Sequence, residues 1–193
     1  MAKAKPLTML DPQAPTGQNA RRIADIRLDE LYGYAAHVDA PYEVRGLHNL
    51  RIAAKRLRYT LEIFADVLPP ACQSIADELS QIQDELGALH DHDVMIALLR
   101  LCLGSKDAGN VYEQTLANAG KQQGKGKLLL EPALVSAVLD PDAALSPEQR
   151  YGLEQLLLKQ MQAREECYRK FRQHWYQLQA RDFRRETLDT LND

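Results

Sequence analysis

The sequence predicts an all-α fold, an antiparallel bundle of helices with a long helix towards the C-terminal end. Three observations carry this. Leucine and alanine together number 54 of the 193 residues, against 20 for valine, isoleucine and threonine, a balance that favours helix over strand. The nine prolines stand at 6, 12, 15, 41, 69, 70, 132, 141 and 147, leaving long intervals free of the residue a helix interior excludes. Within those intervals apolar residues recur three and four apart, and no strand pattern rises above them.

The first helix is predicted over about residues 19–37. Ile23, Ile26, Leu28, Leu31 and Tyr34 supply a broad apolar face there, and Asn19 offers a cap. Residues 39–42 read as a turn. A second helix over about 42–68 ends at Pro69-Pro70. A third, over about 71–86, carries Ile75, Leu79, Ile82 and Leu86 at helical spacing, with Gly87 either stopping it or permitting a tight contact. Residues 90–103 read as a separate helix with Val94, Leu98 and Leu101 on one side, closed by Gly104-Ser105. A weaker helix over 107–119, a mobile glycine-lysine loop over about 120–130 and a short helix over 132–139 follow. Ser146 then caps a long helix with Pro147 at its first position, reaching about Gln179, and a last short helix starts near Asp182. Residues 1–16 read as a frayed terminus and 17–193 as a single helical domain.

Composition narrows the function classes. With 45% hydrophobic and 26% charged residues, the chain is built to bury a core and is neither a disordered tail nor a membrane protein. A formal net charge of −3 by itself argues against a general nucleic-acid binder. Cys72, Cys102 and Cys167 are odd in number and lack CxxC spacing, the pattern of reduced thiols in a cytoplasmic protein. The N-terminal residues lack the apolar run of a signal peptide, and nothing approaches the roughly 18 apolar residues of a spanning helix. The expectation is a soluble cytoplasmic chain with no membrane partner.

The mild net charge conceals segregation. Residues 42–59 carry Arg45, Arg51, Lys55, Arg56 and Arg58 against Glu43 alone, a local +4. Residues 159–185 carry eight cations against three carboxylates, a local +5, so the remaining 148 residues hold −12. At about 100° per residue, His48, Arg51, Lys55 and Arg58 fall within an arc of roughly 80°. Leu47, Leu50, Ala54, Leu57, Leu61 and Phe64 occupy an adjoining arc. The basic stripe therefore borders the core. Cations held there repel one another unless carboxylates or an anion compensate them, and Glu62 is the lone carboxylate near the arc. Arginine forks match phosphate oxygens, which makes the stripe a candidate anion site. On the later basic helix, Cys167, Phe171, Trp175 and Leu178 can face the core while Arg169, Arg172 and Tyr176 share another side. Such a row is commonly just a solvated face.

LHNLRIAAKRLRYTLEIF, with His48, Arg51, Lys55, Arg56 and Arg58 in the pattern His-x-x-Arg-x-x-x-Lys-Arg-x-Arg, resembles the signature helix of the CHAD family, the conserved histidine α-helical domain. LSQIQDELGALHDHDV, residues 79–94, is similar to the family's second motif, a Leu-Gly pair followed by an acidic stretch ending in Asp-Val. ARRIADIRLDEL fits the helix that opens such domains, so the resemblance covers about residues 19–103. It implies a helical bundle of CHAD type that binds inorganic polyphosphate on a basic surface. The binding residues it implies are His48, Arg51, Lys55, Arg56 and Arg58, with Arg169 and Arg172 as further contributors from the later helix. Polyphosphate carries closely spaced charge and no bases, so Lys and Arg suffice without a stacking platform. The family doubles this pattern and the present chain shows it once, which predicts a homodimer in which two basic helices line one channel. His90 stands where the resemblance would place a basic or polar residue before Asp91. Association with polyphosphate granules follows from the resemblance alone.

Other constellations are weaker. The run His90-Asp91-His92-Asp93 hints at a metal site or an HD-type phosphohydrolase, but adjacent helical residues point apart and cannot converge on one ion. Pairing with basic residues, or capping a helix that starts there, suits Asp91 and Asp93 better. The loop GKQQGKGK lacks the spacing of a phosphate-binding P-loop, although Lys121, Lys125, Lys127 and the earlier Lys106 are placed to touch a long polyanion. Trp175 reads as a core anchor, and no residue has the sequence context of a catalytic nucleophile. The reading is non-catalytic polyphosphate binding, with no cofactor and no metal. The alternatives are a metal-dependent phosphohydrolase or polyphosphate-processing enzyme, and an adaptor whose basic helix docks an acidic protein or a nucleic acid, the latter disfavoured by the net charge.

Overall fold

The computed structural model describes residues 4–104 and 146–193, all helix and connecting turns with no strand among them. In chain order the elements are α1 (Thr16–Tyr32), a 3-10 turn (Ala35–Asp39), α2 (Val44–Ile63), α3 (Cys72–Cys102), α4 (Pro147–Ala180) and α5 (Phe183–Asn192). The expected all-α class and the long C-terminal helix are both present. The weak helix at 107–119, the loop at 120–130 and the short helix at 132–139 lie outside the described residues.

Several boundaries differ from expectation for identifiable reasons. Helix α1 starts at Thr16, directly after Pro15, so Asn19 sits inside it. Its side chain instead accepts from Asp11 N (3.1 Å) and donates to Asp11 O (2.7 Å), clipping residues before the helix to its first turn. Helix α2 ends at Ile63, before the proline pair. The two helices expected either side of Gly87 are one, α3, which runs unbroken from Cys72 to Cys102. Glycine lowers helix propensity by only about 1 kcal/mol, which the packed face of a long helix outweighs. At α4 the expectation holds: Ser146 Oγ accepts from Gln149 N (3.2 Å) and Gln149 Oε1 accepts from Ser146 N (2.9 Å), a reciprocal capping box ahead of Pro147. Asp182 caps α5, its carboxylate accepting from Arg185 N.

The chain divides into two compact units, Met1–His90 with Glu166–Asp193, and Asp91–Glu165. In the first, α1, α2, the first part of α3, the last part of α4 and α5 close on one apolar core. Leu28, Leu31, Leu50, Leu57, Ile75, Leu79, Ile82, Leu89, Phe171 and Phe183 are its largest fully buried members, joined by Trp175. The anchor role expected of Trp175 is met by Tyr32 and Phe171, with ring centroids at 5.8 and 6.3 Å. Helices α3 and α4 run antiparallel in this unit. His174 of α4 lies with Nδ1 2.9 Å from Glu85 and Nε2 3.1 Å from Glu78, and Arg181, two turns on, also reaches Glu78 at 2.9 Å. The 3-10 turn is pinned against α2 because Gly46 has no side chain; a Cβ there would lie 2.5 Å from His37 Cγ. In the second unit, Asp93 pairs with the buried Arg164, and His92 Nδ1 lies 2.7 Å from Gln160 Oε1.

A half-buried basic stripe along the α2–α3 seam

The arc drawn from the sequence of α2 is realised in the packing. Leu47, Leu50, Ala54, Leu57 and Leu61 are buried, and His48, Arg51, Lys55 and Arg58 beside them are all half-buried. Burial is partial because the stripe borders the core rather than facing open water. This restricts the splaying by which surface cations relieve their repulsion.

The α3 helix forms the other side of the seam. Arg51 Nε donates to Gln83 O at 3.3 Å, and its guanidinium lies over Gly87, one helical turn further along. A Cβ at residue 87 would sit 3.4 Å from Arg51 Nε, so any side chain longer than alanine would need the space the guanidinium occupies. Of the two roles the sequence left for Gly87, the helix does not stop there, and the guanidinium rests at ordinary contact distance from where a Cβ would stand. One turn earlier on α2, the His48 ring stacks near that of His90 on α3, with centroids 5.0 Å apart and planes tilted by 45°. Burial, then His90, then Arg51 push the His48 imidazole below its ordinary pKa, so the ring is neutral at pH 7. His48 Nδ1 is buried with no hydrogen-bond partner among the described residues.

Towards the C-terminal end of α2, Lys55 and Arg58 flank the Tyr59 ring at 5.3 and 4.8 Å from its centroid. Arg58 also pairs with Glu62 at 2.7 Å, the carboxylate singled out from the sequence. Arg56 turns away from the stripe to α1. There it pairs with Glu30, whose other oxygen takes Arg27 at 2.6 Å. Glu30 is 2% exposed, so Arg56 is committed to neutralising a buried acid.

The later basic region is spent on ion pairs. Of its eight cations, six have carboxylate partners: Arg164 with Asp93, Lys170 with Glu166, Arg172 with Asp39, Arg181 with Glu78 and Glu186, Arg184 with Asp29, and Arg185 with Asp189. Arg172 donates to Asp39 at 2.8 Å, and Tyr176 donates to the second oxygen of the same carboxylate at 2.7 Å. These two hydrogen bonds hold the Asp39 carboxyl below its usual range. Arg169 is exposed and makes no ion pair among the described residues. Among the described residues no hydrogen bond or ion pair joins Arg169 or Arg172 to the α2 stripe. By contrast, Arg51 and Lys55 have no carboxylate partner among the described residues, although the chain as a whole is acidic.

The four residues of the His90-Asp91-His92-Asp93 run do not converge: His90 meets His48, His92 meets Gln160 and Asp93 meets Arg164. Because α3 is continuous there, the capping role expected of Asp91 and Asp93 does not arise, whereas the pairing role of Asp93 does. Among the described residues no cluster of His, Cys, Asp and Glu has the arrangement of a metal site.

The CHAD domain family model matches residues 2–100, just over half of the chain and the segment that holds both sides of the seam. The chain belongs to the CHAD family. The two CHAD motifs read from the sequence, on α2 and α3, thus lie on the two sides of one seam, the basic stripe being on α2. No curated protein and no solved structure matches the chain. No helix among the described residues is long and apolar enough to cross a membrane.

Sequence reasoning passed over one residue that the packing makes central. Glu30 falls within the apolar arc drawn by Ile23, Ile26 and Tyr34. A carboxylate in that position was a signal that cations from elsewhere must meet it. His90, marked by the sequence for its place before Asp91, gains His48 as a neighbour only because α3 passes that turn against the first turns of α2.

Proposed function

We propose that this CHAD domain binds inorganic polyphosphate without catalysis, on the basic stripe of α2 where it runs beside α3. The observation that carries this reading is the uneven compensation of charge. Six of eight cations in the later basic region are neutralised internally, while Arg51 and Lys55 stand half-buried in the seam with no acid partner among the described residues. Uncompensated, partly desolvated cations in a row cost folding free energy, and an extended polyanion offsets that cost along its length. Arg51 is held by a backbone carbonyl, which leaves its remaining N–H donors for phosphate oxygens. Arg58 contributes from the end of the stripe, shared with Glu62. Arg56 and Arg172 have the weaker claim to ligand, since a bound phosphate would compete with Glu30 and Asp39 for them.

A single stripe offers a polyanion one wall. A second copy of the chain would supply the other, and the same reading extends to a homodimer and to attachment to polyphosphate granules. The deciding experiment measures polyphosphate affinity against chain length and salt, with DNA of matched charge as competitor. Affinity should rise with chain length, fall steeply with salt and exceed that for DNA. Arg51→Ala, Lys55→Ala and Arg58→Ala should each weaken it at unchanged helicity. Equal affinity for DNA would turn the reading to a general acidic partner, and phosphate release in the presence of magnesium would turn it to an enzyme.

A further inference from the structure

We propose that the basic stripe of α2 ends in a base-stacking subsite at Tyr59, so that the site takes nucleoside triphosphates as well as inorganic polyphosphate. The inference rests on the binding reading above and names a second ligand class for the same stripe.

The starting point is an aromatic ring that a polyphosphate chain does not need. Polyphosphate has no bases, and Lys and Arg suffice to hold it. Tyr59 nevertheless stands one helical turn after Lys55 and about 40° from it around the axis, so it continues the face that carries the stripe. It is 42% exposed. Ile63, one turn further along the same face, is 74% exposed, and apolar surface thus extends past the ring to the end of the helix.

The two cations at the ring are not equivalent. Arg58 Cζ lies 4.8 Å from the ring centroid, and the pair with Glu62 at 2.7 Å holds the guanidinium there. Lys55 Nζ lies 5.3 Å from the centroid and has no carboxylate partner among the described residues. An exposed cation–π contact is worth only about 0.5–1 kcal/mol, less than a charge-assisted bond to phosphate. A phosphate group therefore draws the Lys55 ammonium off the ring and leaves the surface it covered to a base. Any base has a π-face to stack there.

Length selects the ligand. Along the helix axis Tyr59 lies about 6 Å from Lys55 and about 12 Å from Arg51. A nucleoside triphosphate spans such a distance, with its base on Tyr59, its inner phosphates at Lys55 and its terminal phosphate towards the donors of Arg51. A single-stranded nucleic acid brings a base with every phosphate, whereas α2 holds a single Tyr, Phe or Trp ring.

The test compares adenosine 5′-triphosphate with methyl triphosphate, which has the same phosphates and no base, by titration of the full chain without divalent metal. The nucleotide should bind about tenfold tighter. Tyr59→Ala should bring the two ligands to within about twofold of each other, and Tyr59→Phe should keep the difference. Should Tyr59→Ala misfold, the adenine proton resonances serve instead, and the unaltered chain should shift them upfield as a stacked ring does. Equal affinities in the unaltered chain, a preference undiminished in folded Tyr59→Ala, or adenine resonances that do not move each overturn the subsite. A single-stranded oligonucleotide bound more tightly than the nucleotide at equal phosphate concentration overturns the assignment to nucleotides. Long-chain polyphosphate binding alongside any of these results leaves the polyphosphate reading standing. No binding of polyphosphate or of either triphosphate overturns both proposals.

Discussion

The Arg51 guanidinium rests beside residue 87 of α3, at ordinary contact distance from where a Cβ would stand, and a test of the seam follows directly. In Gly87→Leu the new side chain would take the space of the guanidinium. Polyphosphate affinity should fall about as far as in Arg51→Ala, several-fold or about 1 kcal/mol, while circular dichroism shows the helices intact. Each alanine replacement at Arg51 or Lys55 should also reduce the slope of log affinity against log salt by about 0.7, the signature of one lost phosphate contact on a flexible chain. His48 adds a pH dependence to the stability of the free chain. Its folded pKa lies below the unfolded value of about 6.5, so its contribution is complete above that pH. As pH falls below about 6.5 the unfolded chain takes the proton more readily, and stability is lost down through the depressed folded value. Denaturation profiles should show this loss, and His48→Gln should flatten it.

Between elements, the joint of α1 and α2 depends on Glu30, a carboxylate at 2% exposure held by Arg27 and Arg56. Removing it leaves two arginines without their counter-ion in a largely apolar contact. Glu30→Ala should therefore lower unfolding free energy by about 3 kcal/mol in urea titration. The same ion pair separates two roles on one helix. Arg56→Ala should lower stability by more than it lowers polyphosphate affinity, and Arg51→Ala should do the reverse. The cap of α4 is a smaller matter of the same kind: Ser146→Ala should cost about 1 kcal/mol, because Gln149 N loses its acceptor.

For the whole molecule, the distribution of ion pairs decides more than the net charge does. Arg172, Arg181 and Arg184 of the C-terminal helices meet Asp39, Glu78 and Asp29 of earlier elements in the same unit. The second basic region is thus largely the glue between the C-terminal helices and the rest of the bundle. Exposed pairs of this kind are each worth about 0–1 kcal/mol and weaken with salt. One basic wall per chain leads to a prediction at this scale. Sedimentation should find a dimer, and polyphosphate should strengthen it; a monomer with and without ligand would show that one α2 stripe serves alone.

Much of this was legible in the chain itself. Leucine and alanine between spaced prolines determine helices, because propensity and periodicity are local properties summed over many residues. The helical wheel of α2 determines which cations share a face and that they border the core, and all four are half-buried as that wheel implies. The spacing of His48, Arg51, Lys55, Arg56 and Arg58, with the Leu-Gly motif after it, was enough to identify the CHAD family. Only the tertiary structure decided how each charge is used. Arg56 meets a carboxylate 26 residues away, Arg172 one 133 away, and Arg51 and Lys55 meet none among the described residues. A local pattern places a side chain on a face, but its partner is set by which helix packs there. For the same reason Gly87, ambiguous in sequence, became the floor under Arg51, and His90 became a neighbour of His48.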